Sequence, residues 1–476
     1  MGLLSFVTSY RRSVVKLFIP FFFIIGYLVS FQVFNSQWLG YFLLTAMAVM
    51  SGCLAFSSLR GREESQVAAW LAFYVLLIFG YAKFYWLILD PSPVQDFFPG
   101  SWAWRHFEIP ATLFDAFLMQ TLGFVGLCLA LFVFLGFKKK QKRSDIGLIN
   151  IRPAFFILFL PFLAGLLLVS SFLVYRYKVG FLGMISNPLP FHLSGLIFYL
   201  HTMALPILII TFVYLCATAA GYWRSRIGIL VFILWAVSDV LLRSSRASLM
   251  LIPLLVLFLA LSGGIKIRKF EALSGFGLVF LAVILAPLIS SYRIFRLSGL
   301  GSFAALESST ASFSPTIAGF LKSVSFIFFR VPGIETSVIV SGFIVQSLGA
   351  KAFKVMFSGK GFSWYLGHSA FGLPFDAPNG FATPFIAQWY IAGGYPGIIL
   401  AGIAVAVFSV AVWDGLMNSK FLTAPVARAF FLLLFFWSLT EGVSPYLVKQ
   451  TFVLIPVLLI AEFIVRMFFV VPADKG

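Results

Sequence analysis

In the segment 239–248, DVLLRSSRAS, Arg243 and Arg246 stand three residues apart, and in 291–297, SYRIFRL, Arg293 and Arg296 repeat the spacing. On a helix that spacing puts both guanidinium groups on one face. Arg330, in the sequence FFRVPG, adds a fifth. A guanidinium is a planar fork of donors that matches phosphate oxygens and stays charged at any relevant pH. Several of them converging at one depth suit a diphosphate. The competing reading is that each snorkels to lipid headgroups, or pairs with a nearby acid such as Asp239.

The acids that share a side with these arginines are Asp239, Glu307, Glu335, Asp376 and Glu441. Each is either a base or an arginine's counter-ion. His368, in YLGHSAFGLPFDAPNG, lies close in sequence to Asp376. A neutral imidazole there can take a proton from a hydroxyl. The candidates for proton transfer are therefore His368, Asp376, Glu335 and Asp239. The chain has no DxD pair and no His/Cys/Asp cluster at ligand spacing, so neither a metal nor a cofactor is expected. A GxSxG elbow and a phosphate-cradling Walker loop are also missing. The three cysteines, Cys53, Cys128 and Cys216, lie far apart inside apolar runs and imply no disulfide framework.

The elements that must position these residues are membrane helices. Of the 476 residues, 61% are hydrophobic and 11% are charged, and a soluble fold of this length has nowhere to hide so much apolar surface. A bilayer core needs about 20 apolar residues per helix. On that length the spans fall at about 15–34, 38–57, 67–89, 113–136, 152–174, 195–220, 227–243, 247–264, 272–292, 392–412, 425–441 and 449–469, about twelve in all. The net charge of +18 sits mostly in alternate loops: Arg60 and Arg62, KKKQKR at 138–143, Arg224 and Arg226, KIRK at 266–269, and Lys420. Positive residues stay in the cytoplasm, so both termini are expected inside and the arginine pairs outside. With no basic–aromatic platform in the sequence, nucleic acid is not an expected partner. The expected architecture is all-α: one polytopic membrane bundle over residues 1–476, with a single long outer loop at 293–391. A loop that long must carry structure, and its apolar stretch 314–349 reads as short helices lying along or dipping into the interface. No internal repeat of the transporter kind is visible.

In layout the chain resembles the Wzy family of bacterial O-antigen or polysaccharide repeat-unit polymerases. The resemblance rests on the apolar body with a long outer loop before the last three spans, on RSSRAS followed by an apolar helix and a basic loop (Arg243 to Lys269), and on TPFIAQWYIAGGYPG at 383–397. The related O-antigen ligases carry a histidine about eleven residues before the glycine of that last motif. Here Thr383-Pro384 fills the place, which favours polymerase over ligase. The resemblance implies a GT-C-like glycosyltransferase of the bacterial inner membrane. Its partner would be an undecaprenyl-diphosphate-linked oligosaccharide drawn from the membrane lipid, polymerised at the periplasmic face, with a chain-length regulator as an open further partner. A hydroxyl of one unit would attack the anomeric carbon of the next, and arginines would neutralise the departing diphosphate. The alternatives are an O-antigen ligase, a lipid-linked oligosaccharide transporter or flippase, and an assembly subunit without chemistry.

Overall fold

The computed structural model describes residues 38–89, 109–136, 153–180, 189–220, 222–243, 247–265, 302–311, 334–343, 383–443 and 445–469, with isolated positions between 277 and 296 and between 351 and 366. Among the described residues every regular element is helical. Among the described residues eight helices are long and apolar enough to cross a membrane, and the chain is a multi-pass membrane protein on that ground. In order they are α1 (Trp38–Leu59), α2 (Val67–Leu89), α3 (Pro110–Gly136), α4 (Pro153–Tyr177), α5 (Leu193–Ala220), α6 (Tyr222–Arg243), then the shorter α7 (Ala247–Leu261), α8 (Ser302–Ala311) and α9 (Ile334–Phe343), and finally α10 (Phe385–Met417), the shorter α11 (Ala424–Thr440) and α12 (Pro445–Phe469). The expected spans from 38 to 264 and from 392 to 469 each coincide with a helix; that at 15–34 lies outside the described residues, and that at 272–292 is described only in part.

Lipid explains which faces these helices leave open. On α4, Ile157, Leu158, Leu168 and Phe172 are 61–72% exposed, and on α12 Phe452 and Phe463 are 73% and 60% exposed. Rows of bare aliphatic and aromatic side chains on two long helices are untenable in water and cost nothing against acyl chains. Helices α2 and α5, by contrast, are mostly buried.

The chain divides into two compact units. The first comprises 1–143, 325–418 and 434–448; the second comprises 144–324, 419–433 and 449–476. In the first, α3 lies against both α1 and α10. Its contact with α10 is made by glycines. A Cβ on Gly402 would run into the backbone of Gly123 and Leu127, and one on Gly126 would sit 2.7 Å from the Ile399 carbonyl oxygen. Small residues at a crossing let two helix backbones approach where no water-driven force draws them together. Aromatic rings fill the other flank of α3: Phe84 and Phe117 lie 4.9 Å apart, Tyr81 and Phe124 5.5 Å, and Tyr41 and Phe117 5.3 Å.

Helix α10 begins at Phe385, seven residues before the expected span, because the glycines of its sequence bend the helix instead of starting it. Gly394 has φ 63° and ψ −152°, a conformation only glycine adopts readily, so Phe385–Gly393 forms a lead-in set at an angle to the rest. Part of the apolar stretch expected to be helical in the long loop is a helix, Ile334–Phe343. This helix, α9, is buried over Thr336–Val340 and bonded to α3, with Gln120 Nε2 donating to Ser337 Oγ at 3.1 Å and Ser341 Oγ donating to the Thr112 carbonyl at 3.1 Å.

The glycine crossing gives a direct check. Gly402→Ala forces backbone to move and is expected to destabilise by about 1–3 kcal/mol. Gly415→Ala, on the same helix with no atom within 4 Å of the new methyl, is expected to be neutral or stabilising. Thermal melting of the two purified variants in detergent separates them; equal melting temperatures would remove the close-approach argument.

Candidate functional site

Two of the proposed site residues, Asp239 and Arg243, lie one turn apart on the last stretch of α6 in the second unit. Their separation of four residues suits a direct pair, and Arg243 NH1 donates to Asp239 Oδ1 at 2.8 Å. Asp239 is fully buried and Arg243 is 8% exposed. Neither could remain ionised there alone, because an isolated charge in apolar surroundings carries a penalty of several kcal/mol or more, by a rough general figure. The pair therefore recruits every neighbour within reach. Ser248 Oγ, at the start of α7, donates to Asp239 Oδ2. His201, in the π-helical stretch Leu200–Ala204 of α5, brings Nε2 to 3.3 Å from Asp239 Oδ1, an ion-pair distance without hydrogen-bond alignment. Ser170 Oγ of α4 meets His201 Nδ1 at 3.0 Å, and Trp235 Nε1 donates to the His201 carbonyl at 2.8 Å.

The guanidinium is held on its remaining sides as well. Arg243 Nε donates to the Gly180 carbonyl at 3.2 Å, and its Cζ stands 4.8 Å from the centroid of the Phe198 ring. Gly180 has φ 67°, and a Cβ there would lie 2.6 Å from the Phe198 ring and 3.1 Å from Arg243 Nε. The turn that ends α4 thus needs a glycine both for its conformation and for the approach of the arginine. The turn after α4, together with α5 and α7, places at least one group on this arginine or its carboxylate, both of which belong to α6.

A third proposed residue is near the same helix end. Tyr292 Oη donates to the Leu241 carbonyl at 2.7 Å, and Arg296 lies one helical turn beyond Tyr292 among positions that are helical wherever they are described. The C-terminal turn of α6, with Arg243, and the segment bearing Arg296 are therefore neighbours. Between α6, α7 and that segment lies a cavity of about 200 Å³ with a wholly apolar lining that includes Val237, Leu241, Leu249, Leu288, Ile289 and Tyr292. Arg246, Arg293, Arg330, His368 and Asp376, and the side chain of Glu335, lie outside the described residues. Glu307, on α8, is exposed.

The sequence reading gives no role to His201, which falls in the expected span 195–220, and it passes over Asp115 and Lys83, both within helices that can span. The signal was present: an ionisable residue in an apolar run must meet a partner, and His201 and Asp239 are two such residues in adjacent spans. Lys83 is fully buried in α2.

Comparison with known protein families, with characterised proteins and with solved structures finds no match to this chain. Its function is therefore argued from its own residues.

Removing one member of the buried pair should be far worse than removing both. Asp239→Ala leaves Arg243 uncompensated and is expected to cost about 3–5 kcal/mol, with a matching loss of folded yield. The double variant Asp239→Ala, Arg243→Leu should recover a large part of it. A double variant no more stable than Asp239→Ala, measured by thermal melting in detergent, would show that the pair's electrostatics do not hold this end of the unit.

Proposed function

We propose that the protein is a membrane glycosyltransferase that polymerises undecaprenyl-diphosphate-linked oligosaccharide repeat units into a surface polysaccharide at the periplasmic face of the bacterial inner membrane. In this reading it is a GT-C-like bundle of about twelve spans, with both termini cytoplasmic and the long loop 293–391 periplasmic. The observation that carries the reading is the hydrogen bond from Tyr292 to Leu241, which brings the segment that bears Arg296 against the last turn of α6, the turn that bears Arg243. In this reading both lie on the outer face, where positive residues are depleted, and a diphosphate would draw on them together.

The other observations fit a lipid that carries that anion. Arg243 is pre-organised: Asp239, Gly180 and Phe198 fix its orientation before any ligand arrives, so little ordering is left to be done when charge develops on a leaving group. The apolar cavity flanked by Leu241 and Tyr292 offers room for hydrocarbon beside the arginine-bearing ends. In the reaction, a hydroxyl of one repeat unit attacks the anomeric carbon of the growing chain. The bond from that carbon to the diphosphate oxygen breaks, and the lipid diphosphate leaves against the guanidinium groups. The hydroxyl proton passes to a carboxylate or imidazole, for which His368, Asp376 and Glu335 are the candidates. Asp239 serves a different end here, since its oxygens are already engaged by Arg243, Ser248 and His201.

Replacing Arg246, Arg293, Arg296 or Arg330 by Ala, or removing Arg243 in the double variant Asp239→Ala, Arg243→Leu that leaves no unpaired buried acid, should cut long-chain product by roughly tenfold or more each, as expected for losing a charge-assisted contact in the transition state, with the protein still in the membrane. The check is the chain-length ladder of a strain lacking its own copy and supplied with each variant. Reconstitution with lipid-linked repeat units should give polymer without any added core lipid. Wild-type ladders from all five variants would remove the proposed diphosphate site, and product only on addition of core lipid would make the protein a ligase.

A further inference from the structure

Asp115 lies near the start of α3 in the first unit, inside a run that is otherwise apolar. Its Oδ1 accepts a hydrogen bond from Tyr395 Oη at 3.1 Å. Tyr395 directly follows the backbone break at Gly394, and the break turns its ring toward that of Tyr390 in the lead-in, at 5.4 Å between centroids and 64° between planes. Asp115, Tyr390 and Tyr395 are all half-buried. Gly393 is exposed beside them, and a methyl group there would touch nothing within 4 Å. The frame around the three is firm. Gln388, one turn into the lead-in, brackets residue Val443, accepting from its N–H at 3.0 Å and donating to its carbonyl at 3.2 Å.

Asp115 differs from Glu462 and Asp239. Glu462 accepts from the backbone N–H groups of Leu422 and Thr423 and from Arg466, and Asp239 has Arg243. Among the described residues Asp115 has Tyr395 and no cation within ion-pair distance. A carboxylate left half open at the end of an apolar helix keeps lone pairs for a hydroxylic ligand. One carboxylate and two phenols supply too few oxygens for a calcium ion, which takes about six to eight. A phosphate would be repelled. A neutral ligand with several hydroxyls to donate and C–H faces to lay on aromatic rings fits the group.

We propose that Asp115, Tyr390 and Tyr395 form a saccharide-binding site, with Asp115 accepting sugar hydroxyls and the two tyrosine rings packing against the pyranose face. The identity of the sugar rests on the function proposed above: it is a ring of the lipid-linked repeat unit. The site separates the tasks chemically. A carboxylate and aromatic rings select carbohydrate in the first unit, and arginines select the anion in the second.

The test uses the full-length protein in lipid nanodiscs, with the lipid-free repeat-unit oligosaccharide released from the host's surface polysaccharide as the probe and calorimetry as the readout. Wild type should bind saturably. Asp115→Asn should bind about ten- to a hundredfold more weakly, because it loses charge-assisted acceptance. Tyr390→Ala should lose about three- to tenfold, and Tyr390→Phe, which restores the ring, should recover most of that. Tyr395→Phe deletes a single oxygen and serves as the second probe of the site where Asp115→Asn melts early. No binding by wild type, or equal binding by Asp115→Asn and Tyr395→Phe, overturns the site. The same proteins run in the polymer ladder assay keep the two ideas apart. Asp115-dependent binding by a wild type that makes no polymer upholds the site and rejects the polymerase. Normal polymer from a folded Asp115→Asn rejects the site and leaves the polymerase standing.

Discussion

An ionised group surrounded by hydrocarbon must carry its own solvation with it, and this constraint organises the second unit around Arg243. Asp239 cancels the charge, Ser248 and His201 occupy the rest of the carboxylate, and Ser170 and Trp235 complete the histidine. Each contact comes from a different place in sequence, so the requirement of one guanidinium fixes the mutual placement of four helices. Even the turn after α4 obeys it, since only glycine at position 180 lets the Phe198 ring and the arginine share that space. Apolar packing alone would tolerate many rotations of these helices. A buried ion pair with directional partners tolerates few, which is the sense in which polar groups specify structure that they do not necessarily stabilise.

The first unit reaches its arrangement by another route. Glycines at the crossing of α3 and α10 allow backbones to touch, and aromatic rings interlock on the opposite flank. Lipid tails are as apolar as leucine, so shape rather than water exclusion decides which surfaces associate. The Gly394 break belongs to the same logic. It redirects the chain at the head of α10 without sacrificing contact, since Ile386 of the lead-in still reaches Gly123 of α3.

Much of this was legible beforehand. Hydropathy alone located α1 to α7 and α10 to α12, because a run of about 20 apolar residues has few alternatives in a bilayer. The sequence also marked Asp239 and Arg243 as residues needing an explanation, and offered both a catalytic and a counter-ion role. It could not choose, because the choice depends on His201 and Ser248, whose proximity is a matter of tertiary packing. The motif 383–397 ends in glycines that stand at the head of the expected span 392–412. They act nine residues into a helix that had already begun at Phe385, since an isolated positive-φ residue bends an apolar helix whose two halves are both held by packing. Asp115 was missed for a plainer reason: it was counted as part of a span, when its type should have set it apart.

A polar residue in a membrane span is informative in proportion to how poorly it is satisfied. Asp239 and Glu462 are saturated by their own chain, and saturation points to structure. Arg243 is held at the Asp239, Gly180 and Phe198 sides, which makes it a fixed charge at a helix end rather than a flexible one. Among the described residues Asp115 accepts one bond, from Tyr395, and keeps the rest of its capacity. Ranked this way, the residues divide into those that build the frame and those the frame leaves open. Within the first unit Asp115, flanked by two rings, is what the frame leaves open; within the second, Arg243 is fixed in place and its charge is shared with Asp239.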